Sequence, residues 1–214
     1  MNIKADILIA SFLTFLSGMV YSQDTSLLDR LYKDFSSKLV TLDISYVLEM
    51  ASADVVGEGI VEFQDNAYRL SGNGIEVYCD GNDVWLMDPA AKEVYIEPVS
   101  DGVDAFIQNP ALLFTGLKEN FEVVNFKEGG HIREPGVKDI VYDLMPKVSC
   151  GIEECSIQLK KDGTLYYGTF VMSEGQAGII RVKVDSIKKS DRKDISYFRP
   201  TRSFDSSWMV TDLR

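Results

Sequence analysis

Residues 57–98 read GEGIVEFQDNAYRLSGNGIEVYCDGNDVWLMDPAAKEVYIEP. Short runs rich in β-branched and aromatic residues, at 57–63, 67–71, 74–79, 83–88 and 93–97, alternate with compact turn signals. The turns are Gln64-Asp65-Asn66, Gly72-Asn73-Gly74, Asp80-Gly81-Asn82 and Asp88-Pro89-Ala90. Loops this short join only antiparallel neighbours, because a parallel crossover needs roughly a dozen residues. The stretch therefore predicts an antiparallel meander.

Working outward, Leu42, Ile44, Tyr46, Leu48 and Met50 alternate with Asp43, Ser45, Val47 and Glu49, the pattern of a long half-buried strand. Downstream, strand-like runs recur at 121–124, 139–144, 154–160, 164–172, 178–188, 195–199 and 208–211, with Asp162-Gly163 and Glu174-Gly175 as turns. So many antiparallel strands in one chain curl into a barrel or half-barrel. Two segments have helical spacing instead. Leu27, Leu28, Leu31, Tyr32, Phe35 and Leu39 form one apolar stripe behind the capping residues Asp24-Thr25-Ser26. Residues 101–120 predict a broken helical insert hinged near Asn109-Pro110, with Val103, Phe106, Ile107, Leu112, Leu113, Phe114 and Leu117 as its apolar positions. These helices are left to cover the open mouth of the barrel.

The first 22 residues stand apart. Ile7 to Val20 is almost wholly apolar, too short to span a bilayer and suited to a signal-peptide core, with cleavage expected near Ser22-Gln23. Residues 23–214 are then expected to form a single domain of an exported protein. Among the 214 residues, 22 Lys plus Arg face 33 Asp plus Glu, and the net charge of −11 argues against nucleic acid and anionic membrane surfaces. At 45% hydrophobic and 26% charged residues the composition is globular. Cys79 alternates with Ile75 and Val77 and is expected as a buried thiol. Cys150 and Cys155 bracket a turn, and in an oxidising compartment they are expected to form a disulfide.

Motifs for chemistry are scarce. The sole histidine, His131, lies in a turn-like context, and no nucleophile elbow, phosphate loop or metalloprotease motif occurs. No metal, cofactor or catalytic residue is expected, and an enzyme is disfavoured. Large apolar residues are abundant: Phe63, Tyr68, Trp85, Met87, Tyr95, Phe106, Phe114, Tyr166, Phe170 and Met172. Taken alone they favour a packed core over a cavity. The width of the N-terminal stripe and the apolar content of Leu112-Leu113-Phe114 argue the other way.

Several motifs carry a family resemblance. The strand Gly57-Glu58-Gly59-Ile60-Val61-Glu62-Phe63, the hairpin Asp80-Gly81-Asn82-Asp83-Val84-Trp85-Leu86-Met87-Asp88-Pro89, the segment Asn109-Pro110-Ala111-Leu112-Leu113 and the turn Asp162-Gly163-Thr164-Leu165 occur in order over residues 25–214. Together they resemble the LolA family of periplasmic outer-membrane lipoprotein carriers. The resemblance implies a mainly β fold: an unclosed antiparallel barrel of about 11 strands, with the N-terminal helix and the insert as lid over an apolar cavity. Leu28, Leu31, Phe35, Leu48, Phe63, Tyr68, Trp85, Met87, Phe106, Leu112, Leu113, Phe114, Phe170 and Met172 are the expected cavity and lid residues. It further implies a periplasmic, monomeric carrier. Its partners would be acylated lipoproteins and an inner-membrane lipoprotein-releasing ABC transporter, with the outer-membrane acceptor left open. The alternative is a lipid- or lipoprotein-binding sensor or interaction module on the same fold. One departure is plain: where many members carry Arg-Pro, this chain reads Gln64-Asp65-Asn66-Ala67.

Overall fold

The computed structural model describes residues 24–50, 53–99, 116–130, 138–173 and 178–214. The expected signal segment, His131, and Phe106, Leu112, Leu113 and Phe114 of the expected insert lie outside the described residues.

Helix α1 (Ser26–Ser37) opens the described chain. The meander follows as β1 (Leu39–Glu49), β2 (Val55–Gln64), β3 (Ala67–Gly72), β4 (Ile75–Cys79), β5 (Asp83–Asp88) and β6 (Glu93–Pro98). A single turn α2 (Leu117–Asn120) leads to a second meander: β7 (Phe121–Gly130), β8 (Lys138–Pro146), β9 (Ile152–Leu159), β10 (Leu165–Met172) and β11 (Ile179–Ser190). A 3-10 turn (Ile195–Phe198) and the short strand β12 (Met209–Asp212) complete it.

All strands belong to one 12-stranded sheet in the order β12-β6-β5-β4-β3-β2-β1-β11-β10-β9-β8-β7. The order is linear, with β12 and β7 as its two edges, so the barrel is unclosed. The two meanders meet at a seam where β1 pairs antiparallel with β11, from Leu39 opposite Ser190 to Glu49 opposite Ile179. The turns of the first meander agree with their residues. Asp65 and Asn73 adopt positive φ of 51° and 52°, a conformation that Asp and Asn tolerate better than most residues, and Gly81 stands at 92°.

Two expectations change at the C-terminus. Residues 195–199 are not a strand: Asp194 accepts a hydrogen bond from the Ser196 backbone N–H, and the chain closes into the 3-10 turn. Strand β12 pairs parallel, not antiparallel, with β6, because the chain returns along the outer face of the sheet before joining its edge. This returning segment, residues 191–214, is a strap. Phe198 is fully buried with Leu39 and Ala67, and Phe204 and Trp208 pack on Trp85, Met87, Val94 and Ile96.

The main core lies on the opposite, inner face. It joins Leu28, Leu31 and Phe35 of α1 to Val40, Leu42, Phe63, Tyr68, Cys79, Tyr142, Ile157, Leu165 and Phe170. Phe35 meets Phe63 edge-on at a ring-centroid separation of 5.4 Å. Burying the three helix side chains is worth roughly 5–8 kcal/mol at most, which is what seats α1 on the sheet. Of the expected capping residues, Asp24 Oδ1 accepts from the Ser26 N–H at 3.0 Å, whereas Thr25 makes no side-chain bond to the helix backbone and donates to the Asp29 carboxylate.

Candidate functional site

The inner face is apolar along most of its length. Inward positions of β1 are Val40, Leu42, Ile44, Tyr46 and Leu48; those of β3 and β4 include Tyr68, Leu70, Val77 and Cys79. Opposite Tyr46 and Leu48 across the seam stand Val182 and Ile180. On β2 the inward positions include Gly57 and Gly59, and the absence of side chains there has a use. A Cβ on Gly57 would overlap the Tyr46 ring and the Asn73 amide. Tyr46 instead lies across the strand, and its hydroxyl accepts from Asn73 Nδ2 at 3.0 Å.

Register continues this surface in a straight row. Leu42 is opposite Val61, Val61 opposite Leu70, Leu70 opposite Val77, Val77 opposite Leu86, and Leu86 opposite Tyr95. Under α1 the row is closed, with Leu42 at 0% exposure, whereas Leu86 and Tyr95 are each 44% exposed. Helix α1 thus covers one end of the inner face and leaves an apolar shelf across β4–β6 uncovered by described residues. Apolar surface of this continuity is the feature most unlike an ordinary exposed sheet face, which alternates to polar. A second approach to the core runs beside the helix. A cleft of about 410 Å³ between α1 and the β9–β10 turn has Leu31, Phe35, Leu165 and Ile187 among its lining residues, with Arg30 and Lys189 also on its walls.

Polar contacts ring the helix. Lys118 donates to Asp29 at 2.7 Å, and this bond is the main reason that the Asp29 carboxyl sits below the ordinary carboxylate range. Lys189 pairs with Asp34, Arg30 donates to the Asp162 carbonyl at 2.9 Å, and the Tyr142 hydroxyl donates to the Asp24 carbonyl at 2.8 Å. The two ion pairs, Lys118–Asp29 and Lys189–Asp34, are exposed, contribute little each and are screened by salt, so they orient the helix more than they stabilise it.

The expected site residues divide. Leu28, Leu31, Phe35, Phe63, Tyr68 and Phe170 come together in the inner core, and Leu48 and Met172 are half-buried, Met172 packing against that core. Trp85 and Met87 do not join them. Strand alternation places both on the outer face, under Phe204 and Trp208, while Val84 takes the inner position. Both faces of β5 are apolar, so periodicity could not choose between them. The expected Cys150–Cys155 disulfide is absent: the two are separate buried thiols, and Cys150 Sγ is directed to the Ile152 carbonyl at 3.9 Å. Burial pushes the Cys155 thiol strongly upward and Cys79 up to about 11. Leu70, Val77 and Leu86 join the row without having been expected there, and Tyr95, expected only as one of the large apolar residues, joins it too. Their signal is present in the sequence, since each short turn sets the register that lines them up.

Among the described residues no group of three or more His, Cys, Asp or Glu is placed to hold a metal ion, and no helix is long and apolar enough to cross a membrane. No family model and no curated protein matches this chain. Among solved structures it is similar to an uncharacterized conserved protein from Thermus thermophilus, with 11% identity, TM-score 0.49 and coverage of 88% of this chain and 98% of that one. It is also similar to the LolA superfamily protein NE2245 from Nitrosomonas europaea, with 10% identity, TM-score 0.46 and coverage of 83% and 98%. A DUF1329 family protein from Desulfovibrio piger ATCC 29098 is similar at 10% identity, with TM-score 0.44 and coverage of 81% and 95%.

Proposed function

We propose that this protein is a periplasmic carrier that shelters the acyl chains of lipoproteins on its inner face and acts by binding, without catalysis. The observation that carries this reading is the apolar row from Leu42 to Tyr95, closed by α1 at one end and, among the described residues, uncovered at the other. Each CH₂ removed from water is worth about 0.8 kcal/mol, so a 16-carbon chain costs on the order of 12 kcal/mol to expose. A shelf that starts open and deepens beneath a displaceable helix suits such a ligand. It offers a landing surface first and further burial only when α1 shifts. In this reading Leu28, Leu31 and Phe35 belong to the cover, and Leu48, Phe63, Tyr68, Phe170 and Met172 to the wall. The partners are acylated lipoproteins, delivered by an inner-membrane lipoprotein-releasing transporter, and the protein works as a monomer.

The test is retention of a synthetic triacylated lipopeptide in detergent-free buffer, with the deacylated peptide as control. Leu86→Asp together with Val77→Asp should abolish retention while the circular dichroism of the sheet is unchanged. Equal retention by the variant would overturn the reading.

A further inference from the structure

The C-terminal strap completes a pocket on the outer face of the sheet, behind the apolar row. Glu62, Arg69 and Tyr78 stand opposite one another on β2, β3 and β4, and Ser71 stands opposite Glu76 on the same face. Arg202 arrives from the strap, and a pocket of about 240 Å³ opens among these side chains. The Arg69 guanidinium is held between two rings, 5.1 Å from the Tyr78 centroid and 4.6 Å from that of Tyr197. Arg202 in turn lies 5.4 Å from the Trp208 centroid. Aromatic contact thus restrains both guanidinium groups at the pocket wall.

The pairing around them is uneven. The Tyr197 hydroxyl donates to the Glu62 carboxylate, 3.0 Å from each oxygen, and the Tyr78 hydroxyl donates to Glu76 Oε2 at 3.0 Å. The tyrosines occupy the carboxylates, while the cations stand off at 3.5 Å, Arg69 from Glu62 and Arg202 from Glu76. The strap closes tighter elsewhere, since Arg199 reaches Asp80 at 2.7 Å. A guanidinium carries more N–H donors than one distant carboxylate absorbs, so the pocket is rich in donors although its Arg and Glu charges cancel. That balance selects the ligand. A planar carboxylate brings one charge and matches the guanidinium fork, whereas a phosphate dianion is repelled by Glu62 and Glu76. Ile60, exposed on the same wall, offers contact to an apolar body.

We infer that this pocket binds a small organic monocarboxylate, with its oxygens on Arg69 and Arg202 and its apolar body against Ile60. The inference stands apart from the carrier reading, because the pocket and the apolar row lie on opposite faces of β2–β4. Both can be filled at once. Tyr197 and Arg202 belong to the strap, so a bound acid also fastens the strap to the sheet.

Titration of the isotope-labelled full chain with sodium benzoate tests it, read from the side-chain Nε–H resonances of Arg69, Arg202 and Arg181. Arg181, paired with Glu49 and absent from the pocket wall, is the internal reference. Benzoate should shift the Arg69 and Arg202 signals saturably and leave Arg181 in place. Arg202→Gln, at a half-exposed strap position, should weaken binding about tenfold. Benzamide, which has the body without the charge, should not bind. A peptide ending in a free phenylalanine carboxylate upholds the site whichever way it competes: displacing benzoate assigns the group to a chain terminus, and failing to displace it assigns a free acid. Inorganic phosphate as effective as benzoate would overturn the carboxylate assignment. Equal shifts at Arg181, no saturable shift, or undiminished binding by Arg202→Gln would overturn the site.

Discussion

Arg199 Nε donates to Asp80 Oδ2 at 2.7 Å, joining the strap to a carboxylate whose side chain is only 2% exposed. The other oxygen, Oδ1, accepts from the backbone N–H groups of Asn82 and Asp83 at 2.9 and 3.0 Å. The Asp of the Asp-Gly turn thus has two tasks, closing its own hairpin and anchoring the returning chain. Burial works to raise its pKa, but the two backbone donors and Arg199 outweigh burial, and the carboxyl ends below its ordinary value of 3.8.

A depressed carboxylate contributes stability that is present above its unfolded pKa and lost as pH falls through its folded pKa. The folded protein should therefore weaken as pH drops below 3.8, with Asp80 as one source. Asp80→Asn should cost about 1–2 kcal/mol at neutral pH, discounted for the exposure of Arg199, and should flatten the acid limb. Urea unfolding from pH 7 to pH 3 measures both. An acid limb identical to the parent's would show that Asp80 does not anchor the strap.

Phe35 and Leu86 separate stability from binding. Phe35 is fully buried against Phe63, so Phe35→Ala should destabilise by about 3–5 kcal/mol in denaturant unfolding. Leu86, at 44% exposure, should change stability by no more than about 0.5 kcal/mol when replaced by Ala. Lipopeptide retention should nevertheless fall in Leu86→Ala. Retention unaltered there would remove the shelf from the site.

Trp85 and Trp208 are the only tryptophans, and both pack in the outer-face cluster. Their emission should stay in place when a long-chain ligand fills the inner face. Removing residues 203–214 should shift the Trp85 emission to the red by uncovering it. A ligand-induced shift in the intact protein would put the ligand on the wrong side of the sheet for an inner-face carrier.

All three cysteines are buried, and burial pushes each thiol up, so little thiolate is present near neutrality. Iodoacetamide should modify the folded protein slowly at pH 8 and all three residues rapidly in urea, as read by intact mass. Fast single labelling of the native state would place one thiol at the surface.

The first meander was legible almost to the residue because its turns are short and chemically explicit. Asp65-Asn66, Asn73-Gly74 and Gly81-Asn82 fix where each strand stops, and strand length and pairing follow. The strap is legible only in its last strand, β12, which the run at 208–211 predicts. Its anchors, Phe198, Arg199, Phe204 and Trp208, have no period, and each is satisfied by a partner more than a hundred residues away in sequence. The same limit explains Trp85. Which face of a doubly apolar strand turns inward is decided by what arrives to cover the other, and in this chain that cover comes from its end. Register is readable too: it brings Leu70, Val77, Leu86 and Tyr95 into one row without any residue that is unusual by itself.

The seam between β1 and β11 has a consequence for how the molecule is assembled. Within each meander every strand pairs with its sequence neighbour, but Leu39 must find Ser190. Closing so long a loop costs about 0.6 kcal/mol more for each doubling of its length, and contacts of this span form late and slowly. Two half-sheets, each locally self-sufficient, are joined by one long zipper. A pair of chains meeting before their own zippers close can satisfy the same hydrogen bonds by exchanging halves, β1 of one with β11 of the other. Monomer and swapped dimer would then differ in who supplies the second half, not in which bonds are made, and dilution during refolding is what decides between them.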